Sequence, residues 1–206
     1  GKVRITATQA GNSNWLSANA YQDWIVTATP RSDQNITFAA IPNKNALSAN
    51  FDLNATASSS LPVSFTSQTP NIATVDANGT VTIKSTGGAT FRAWQDGNGS
   101  YNAAPTVDQT LTITKVPQTI TFGSISNQNL SAGTYSLSAT ASSNLGVSFV
   151  SSNTSLGSVS GNVVTLVAGG TITITASQGG DSTYDAAPTV NQNLTIIDDT
   201  LTAQTI

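Results

Sequence analysis

A repeat with a period of about 84 residues is the feature that most limits how this chain can fold. Three segments return along the chain: QNITF at Gln34 as QTITF at Gln118, LNATASSSLPVSF at Leu53 as LSATASSNLGVSF at Leu137, and QDGNGSYNAAPTVDQTLTI at Gln95 as QGGDSTYDAAPTVNQNLTI at Gln178. A fixed period of this length indicates that one structural unit is built more than once. The strand and turn pattern of one copy therefore predicts the fold of every complete copy.

The two ends of the chain belong to the same series. The opening residues GKVRITATQAGNSNWLSANAYQDWIV align with the late part of a repeat from Gly170 onward, and Gln204, Thr205 and Ile206 match the start of QTITF. This alignment predicts a partial repeat of late strands at 1–30, complete repeats at 31–115 and 116–198, and a tail at 199–206 that opens a further repeat.

Within each copy, apolar and hydroxyl-bearing residues alternate with a period of two. Ile172, Ile174 and Ala176 alternate with threonines, and Val3 and Ile5 do so in the opening fragment. This period is typical of strands with one buried face, and branched Thr, Val and Ile favour them further. Gly and Asn turns divide each copy into about seven short strands, which predicts an all-β fold of tandem two-sheet β-sandwiches with Greek-key connections.

The composition excludes several classes of function. Only 8% of the residues are charged, and the chain has no histidine, cysteine or glutamate. Histidine bases, thiol nucleophiles, Cys/His zinc sites and disulfides are therefore excluded. The net charge is -3 with seven scattered Lys and Arg residues, so nucleic acid is not an expected partner. No apolar run approaches the length of a membrane span, so membrane insertion is not expected. We predict a non-enzymatic protein without a cofactor.

The order of these motifs resembles a known family. QTITF, a leucine before ATASS, LPVSF, the glycine-led strand GTITITASQ, a Gly/Asn turn closed by Tyr, and AAPTV are similar to the immunoglobulin-like repeat domains of large extracellular bacterial surface proteins and adhesins. The resemblance covers essentially the whole chain. It implies that the tandem sandwiches are immunoglobulin-like β-sandwiches with an extracellular, cell-surface location. It also implies a role as stalk, spacer or adhesin, and neighbours that are repeats of the same polypeptide or other copies of the chain.

One close pair of aspartates raises the question of a metal or a catalytic site. Asp181 and Asp185 lie in a turn, and the aligned residues of the preceding copy are Asn98 and Asn102. Asp and Asn are both favoured in turns, so a turn role is the leading interpretation. Calcium binding by the pair is a weak alternative, because calcium takes six to eight oxygen ligands and this loop offers few carboxylates.

Two tryptophans are candidates for ligand binding. Trp94 follows Ala93, and an alignment without gaps places Trp24 just before an inward-facing Ile25, so both rings are predicted to point away from the core. Exposed rings of this kind pack against a neighbouring domain or chain, or stack on sugars. A carbohydrate-binding module is therefore an alternative function.

The incomplete copies at the ends suggest a second alternative, a subunit of an extracellular filament or sheath. Val3, Ile5 and Ile25 of the opening fragment, and Ile206 of the tail, are predicted assembly edges, because strands without their partners invite pairing with another chain. The fragment and the tail together still lack about 50 residues of a repeat, so strand donation alone would not rebuild a normal domain.

Overall fold

A computed structural model describes residues 1–25, 27 and 29–199 of the chain. These residues form twenty β-strands and one short 3-10 turn, Leu130–Ala132, and the predicted all-β class is confirmed. Across the same ranges, no helix has the length and apolar character that crossing a membrane requires.

The opening fragment is a β-hairpin. Strand β1, Lys2–Gln9, pairs antiparallel with β2, Ala18–Ile25. Val, Ile and Thr of β1 and Tyr, Trp and Ile of β2 favour strands. Val3 lies opposite Trp24 and Ile5 lies opposite Gln22. Every residue of the two strands is exposed, so neither face of this hairpin is part of a core.

The second complete repeat contains nine strand segments. They are β12 Ile120–Phe122, β13 Gln128–Asn129, β14 Thr134–Ser136, β15 Ala139–Ala141, β16 Ser148–Ser151, β17 Gly157–Ser160, β18 Val163–Leu166, β19 Gly170–Ser177 and β20 Val190–Ile197. One sheet has the order β13-β20-β19-β16, with β13 parallel to β20. A three-stranded sheet, β14-β18-β17, and the pair β12-β15 form the remaining pairings.

Two of the predicted strands are each split into two segments. The opening strand is divided into β12 and β13, and the next into β14 and β15, so that each half pairs with a different neighbour. Counting each split strand once gives the predicted seven. Consecutive strands such as β15 and β16 lie in different sheets, as the Greek-key arrangement of immunoglobulin-like sandwiches requires.

The core of the second repeat lies between its sheets. Val164, Ile172, Ile174 and Leu194 are at most 1% exposed, and they alternate with threonine, serine and asparagine on the outer face. Ile120, Phe122 and Leu137 join the same cluster. The opening strand and the next strand therefore cover the apolar face of β19 and β20.

The first complete repeat has the same strand segments in the same order. They are β3 Ile36–Phe38, β4 Lys44–Asn45, β5 Phe51–Asp52, β6 Ala55–Ala57, β7 Ser64–Ser67, β8 Ala73–Val75, β9 Thr80–Ile83, β10 Gly87–Trp94 and β11 Val107–Thr114. Its sheets, β4-β11-β10-β7, β5-β9-β8 and β3-β6, match those of the second repeat segment by segment. The predicted tandem sandwich architecture is thus confirmed.

The described chain groups into two compact units, one formed by the described parts of 1–37, 55–64 and 93–107 and the other by the remaining described residues. This division runs through the first complete repeat. The domain bounds at 30, 115 and 198 therefore remain predictions, and the tail 199–206 lies outside the described residues apart from Asp199.

Candidate functional site

The turn that joins the last two strands of each copy has one design. We call these last two strands with their turn the late hairpin: β1 and β2, β10 and β11, and β19 and β20. In each turn a side-chain oxygen accepts hydrogen bonds from the backbone N–H groups two and three residues later. The acceptors are Asn12 (2.8 and 3.1 Å), Asn98 (2.8 and 3.0 Å) and Asp181 (2.7 and 2.8 Å). Asp and Asn are interchangeable in this role.

Asp181 and Asp185, the candidate metal or catalytic pair, have different structural roles in this turn. The backbone N–H groups of Tyr184 and Thr183 lower the pKa of the Asp181 carboxyl group, and Lys115 lowers it further. Asp185 contributes its main chain: its N–H donates to the carbonyl oxygen of Val116 at 3.0 Å. Within residues 1–25, 27 and 29–199, no three acidic, His or Cys side chains gather as metal ligands would. Calcium binding stays a prediction without support.

A glycine in each turn allows a close backbone approach. Gly97 and Gly180 have φ of +78° and +75°, a region that L side chains rarely adopt. A Cβ at Gly180 would lie 2.4 Å from the carbonyl oxygen of Tyr184, and one at Gly11 would lie 2.2 Å from that of Trp15. The close approach is therefore shared by the opening hairpin and the complete repeats, whereas the positive φ is found at Gly97 and Gly180 and not at Gly11.

A buried glutamine joins the opening strand of the second repeat to its late hairpin. Gln118 is 4% exposed, and its side-chain amide donates to the side-chain oxygen of Gln178 and, at 2.6 Å, to the carbonyl oxygen of Asp185. Its own oxygen accepts a hydrogen bond from Ser143. A buried amide with all of these partners orders the segments it joins.

The first repeat contains the same arrangement. The Gln34 amide donates to the Gln95 side chain at 2.5 Å and to the carbonyl oxygen of Asn102 at 2.6 Å, and Ser59 donates to its oxygen. The three partners occupy the positions aligned with Gln178, Asp185 and Ser143.

A second glutamine of each late hairpin holds the other end of the opening strand. The Gln192 amide donates to the carbonyl oxygen of Phe122 at 2.8 Å, and the Gln109 amide donates to that of Phe38 at 3.0 Å. We call these hydrogen bonds, at both ends of the opening strand, the glutamine clasp. It consists of Gln118, Gln178 and Gln192 in the second repeat and of Gln34, Gln95 and Gln109 in the first.

The glutamine clasp is not among the features predicted from the sequence. Its signal was present, because each glutamine occupies an aligned position in both complete repeats. The opening hairpin also has glutamine at two of these three positions, Gln9 and Gln22. Gln9 aligns with Gln178, and Gln22 lies opposite Ile5 as Gln192 lies opposite Ile174.

The two candidate tryptophans occupy different settings. Trp94 follows buried Ala93 in β10 and is half-buried, so only part of its ring is accessible. Trp24 is 59% exposed on the opening hairpin. Binding of a ligand by either ring stays a prediction.

The predicted orientation of Trp24 and Ile25 is wrong. Trp24 lies opposite Val3, as Leu194 lies opposite Ile172, so Trp24 shares the apolar face of Val3 and Ile5. Residues directly opposite in an antiparallel pair point to the same face. Ile25 lies opposite Lys2, on the other face.

The cause is one missing residue in the turn. Ala7 pairs with Ala20, thirteen positions later, whereas Ala176 pairs with Val190, fourteen positions later. A shift of one residue moves every side chain of a strand to the other face. The alignment without gaps therefore reversed the faces of β2.

The two faces of the opening hairpin differ in character. Ile25 shares its face with Arg4. The Arg4 guanidinium forms a bidentate ion pair with the Asp23 carboxylate, at 2.6 and 2.9 Å, and its central carbon lies 4.3 Å from the centre of the Tyr21 ring. Val3, Ile5 and Trp24 form the other face and are 52%, 61% and 59% exposed. Of the predicted assembly edges, Val3 and Ile5 thus share a face that Ile25 does not, and Ile206 lies outside the described residues.

A family model described as the immunoglobulin-like domain of intimin matches residues 54–95, about a fifth of the chain. The match spans β6 to β10 of the first repeat. It confirms the resemblance to bacterial immunoglobulin-like repeats, and this part of the chain is similar to the repeat domains of bacterial surface proteins. No curated protein matches the chain.

Solved structures of tandem domains are similar over most of the chain. Surface layer protein SbsC, domains 1–6, is 18% identical with a TM-score of 0.36, and the match covers 96% of this chain and 32% of that one. SbsC domains 4 and 5 are 19% identical at a TM-score of 0.34, covering 82% and 100%. Drosophila N-cadherin EC1–4 is 11% identical at 0.32, covering 95% and 58%. This chain thus spans about a third of the first SbsC fragment, and the fold assignment depends on the strands described above.

Proposed function

We propose that this chain is a non-enzymatic structural segment of an extracellular bacterial surface protein, and that its repeats transmit tension as a stalk or spacer. Its partners are then other repeats of the same polypeptide or other copies of the chain. The intimin-like match of residues 54–95 and the absence of histidine, cysteine and glutamate support this role. Because one fold serves many functions, similarity of fold does not define this role, and the mechanical part of the proposal rests on the strand pairing.

The parallel pairing of the first and last strands carries the proposal. Gln128 of β13 pairs with Ile196 of β20, and Lys44 of β4 pairs with Ile113 of β11. Tension applied at the two ends of a repeat pulls such strands in opposite directions along their length. The hydrogen bonds between them are then sheared together, and a sheared set resists force better than bonds that open one at a time.

The connection between the complete repeats also suits this role. Strand β11 ends at Thr114, and the N–H of Val116 already donates to the carbonyl oxygen of Thr183 at 2.8 Å. Only Lys115 lies between these two points, so little free chain is available to stretch before the hydrogen bonds are loaded.

Pulling the full chain by its ends in a single-molecule force experiment tests the proposal. We expect two unfolding events, each releasing roughly 26–29 nm of chain from about 80 residues at 3.3–3.6 Å each. Gln128→Pro should weaken only one event, because a proline at this paired position cannot donate a ladder hydrogen bond to β20. Lys44→Pro, at the aligned position opposite β11, is the matched variant and should weaken the other.

Two outcomes would contradict this role. If neither repeat gave a resolved peak, the repeats would not resist tension. If both proline variants left the peak forces unchanged, the parallel pairs would not be the element that resists it. Carbohydrate stacking on Trp94 and Trp24 remains a separate prediction, which rests on the accessible parts of these two rings.

A further inference from the structure

Two asparagines of the first repeat are each followed by a glycine. An asparagine in this position is open to attack by the main chain, because glycine has no Cβ to obstruct its own nitrogen. The pairs are Asn78–Gly79, between β8 and β9, and Asn98–Gly99, between β10 and β11. Both asparagines are exposed. The pairs differ in how the backbone of the glycine is held.

The backbone of Gly79 is fixed on both sides. Its N–H donates to the carbonyl oxygen of Asp76 at 3.1 Å, and its own carbonyl oxygen accepts from the N–H of Leu53 at 2.9 Å. Gly79 is also buried, with φ of +89°. Its nitrogen can reach the Asn78 side chain only if these hydrogen bonds are broken.

The backbone nitrogen of Gly99 has no such restraint. Across residues 1–25, 27 and 29–199, no acceptor takes a hydrogen bond from its N–H. Gly99 is exposed, and a Cβ built on it would meet nothing within 4 Å. The side-chain oxygen of Asn98 accepts hydrogen bonds from the N–H groups of Ser100 and Tyr101, at 2.8 and 3.0 Å. These donors polarise the Asn98 amide and stabilise negative charge that develops on its oxygen during an attack.

We propose that Asn98 is a site of spontaneous deamidation, with the backbone nitrogen of Gly99 as the nucleophile. This nitrogen loses its proton to solvent base and bonds to Cγ of Asn98. The Cγ–Nδ2 bond then breaks, Nδ2 takes up a proton and leaves as ammonia, and a five-membered succinimide ring remains. Water opens the ring at Cγ to give aspartate, or at the main-chain carbonyl carbon to give isoaspartate.

The aspartate product fits the turn. Asp181 occupies the aligned position of the second repeat, and its carboxylate accepts the same two backbone hydrogen bonds. Aspartate and asparagine are both favoured in such turns. Conversion of Asn98 to aspartate therefore adds a negative charge and keeps the local structure.

The isoaspartate product does not fit, because its main chain contains one additional carbon atom between residues 98 and 99. The residues that follow hold the opening strand of the first repeat. The N–H of Ser32 donates to the carbonyl oxygen of Ser100 at 2.8 Å, and the N–H of Asn102 donates to that of Ser32 at 2.9 Å. Isoaspartate at position 98 displaces these groups and weakens the first repeat.

Peptide mapping by mass spectrometry of the full chain, after incubation at mildly alkaline pH, tests the proposal. Deamidation replaces NH₂ by OH and adds about 1 Da. We expect Asn98 to be converted about 10-fold faster than Asn78 or more, because the Gly79 nitrogen must first lose its hydrogen bond. Isoaspartate should be among the products. Equal rates at the two sites, or aspartate at position 98 without isoaspartate, would overturn the proposal.

Gly99→Ser is the matched blocking variant. Serine follows the turn acceptor in the other two late hairpins, as Ser13 and Ser182, and the open space around Gly99 accommodates its Cβ. Conversion of Asn98 should slow several-fold, because the new Cβ obstructs the nitrogen, while Asn78 is unaffected and serves as the internal control. An unchanged rate at Asn98 would show that the Gly99 nitrogen is not the nucleophile.

The two products are distinguished by their effects on stability. Asn98→Asp should unfold at the same urea concentration as the original chain. The isoaspartate form, purified after incubation, should lose stability in its first repeat, whereas the second repeat should be unchanged. Amide signals of β10 and β19 report on the two repeats separately. An isoaspartate form as stable as the original chain would contradict the proposed displacement of Ser100 and Asn102.

Discussion

The opening hairpin and the late hairpin of the second repeat are the same element in two environments. Both pair two strands of eight residues around a tight turn with an Asn or Asp acceptor, and both place an isoleucine opposite a glutamine. Ile174 is completely buried, whereas Ile5 is 61% exposed. The local sequence therefore specifies strand pairing and the turn, and more distant strands decide burial.

This comparison separates two contributions to the stability of a repeat. The pairing of the hairpin strands is local and is present in both copies. A two-stranded hairpin on its own is at best marginally stable in water, and packing against further strands is needed for independent stability. The opening strand with its glutamine clasp should therefore supply most of the stability of the late hairpin in a complete repeat.

The largest expected effect is that of removing the aligned isoleucines. Ile174→Ala should destabilise the second repeat by about 2–5 kcal/mol, because it leaves a cavity in a closely packed core. Ile5→Ala should change stability by less than about 0.5 kcal/mol, as exposed substitutions do. Urea denaturation followed through amide signals of β19 and of β1 measures both, and equal effects would contradict the comparison.

A smaller effect is expected from the aligned glutamines. Gln178→Ala removes the acceptor of the buried Gln118 amide and of the Gly180 N–H, which lies 2.6 Å from the Gln178 oxygen. Leaving buried donors unpaired costs about 1–3 kcal/mol, so the second repeat should unfold at lower urea concentration. Gln9→Ala is the matched control and should be nearly neutral, within about 0.5 kcal/mol.

A loss on Gln9→Ala as large as that on Gln178→Ala would mean that the clasp position stabilises the hairpin by itself. The role of the opening strand would then be smaller than the comparison implies. Gln192→Ala offers an independent check, because it removes only the hydrogen bond to the Phe122 carbonyl oxygen at the far end of the same strand.

The sequence was sufficient to predict the architecture because two strong signals agreed. The repeat identified the unit, and alternating residues such as Ile172, Ile174 and Ala176 identified strands with one buried face, which they have. The late hairpin at the start of the chain was also predicted. Each of these features depends on local patterns that a single sequence displays.

The parts that failed depend on information that is not local. The face on which Trp24 lies is set by the strand register, and the turn of the opening hairpin is one residue shorter than that of the second repeat. A sequence alignment without gaps does not reveal such a shift. The glutamine clasp joins Gln118 to residues 60 and 67 positions away, and each member alone looks like an ordinary polar strand residue. Its regular return in each copy was the available signal.

The smallest expected effect concerns the turn acceptor, which is ionisable in the second repeat and neutral in the opening hairpin. The N–H groups of Tyr184 and Thr183 hold the pKa of Asp181 below its ordinary value. A carboxyl group with a lowered folded-state pKa adds stability that is present above its unfolded pKa of about 3.9. That stability is lost as the pH falls through the folded-state pKa.

Asp181→Asn should therefore remove part of the acid sensitivity of the second repeat while keeping the turn, because asparagine fills this position as Asn12 and Asn98. The difference in melting temperature between the original chain and this variant, measured between pH 6 and about pH 2, isolates the contribution of Asp181 from the other aspartates. The amide signals of Thr183 and Tyr184 should titrate with a midpoint below about 3.9, whereas those of Asn14 and Trp15 should not follow this titration. A midpoint at or above that value would mean that the two N–H groups do not favour the ionised carboxylate, and ionisation of Asp181 would then add no stability to the turn.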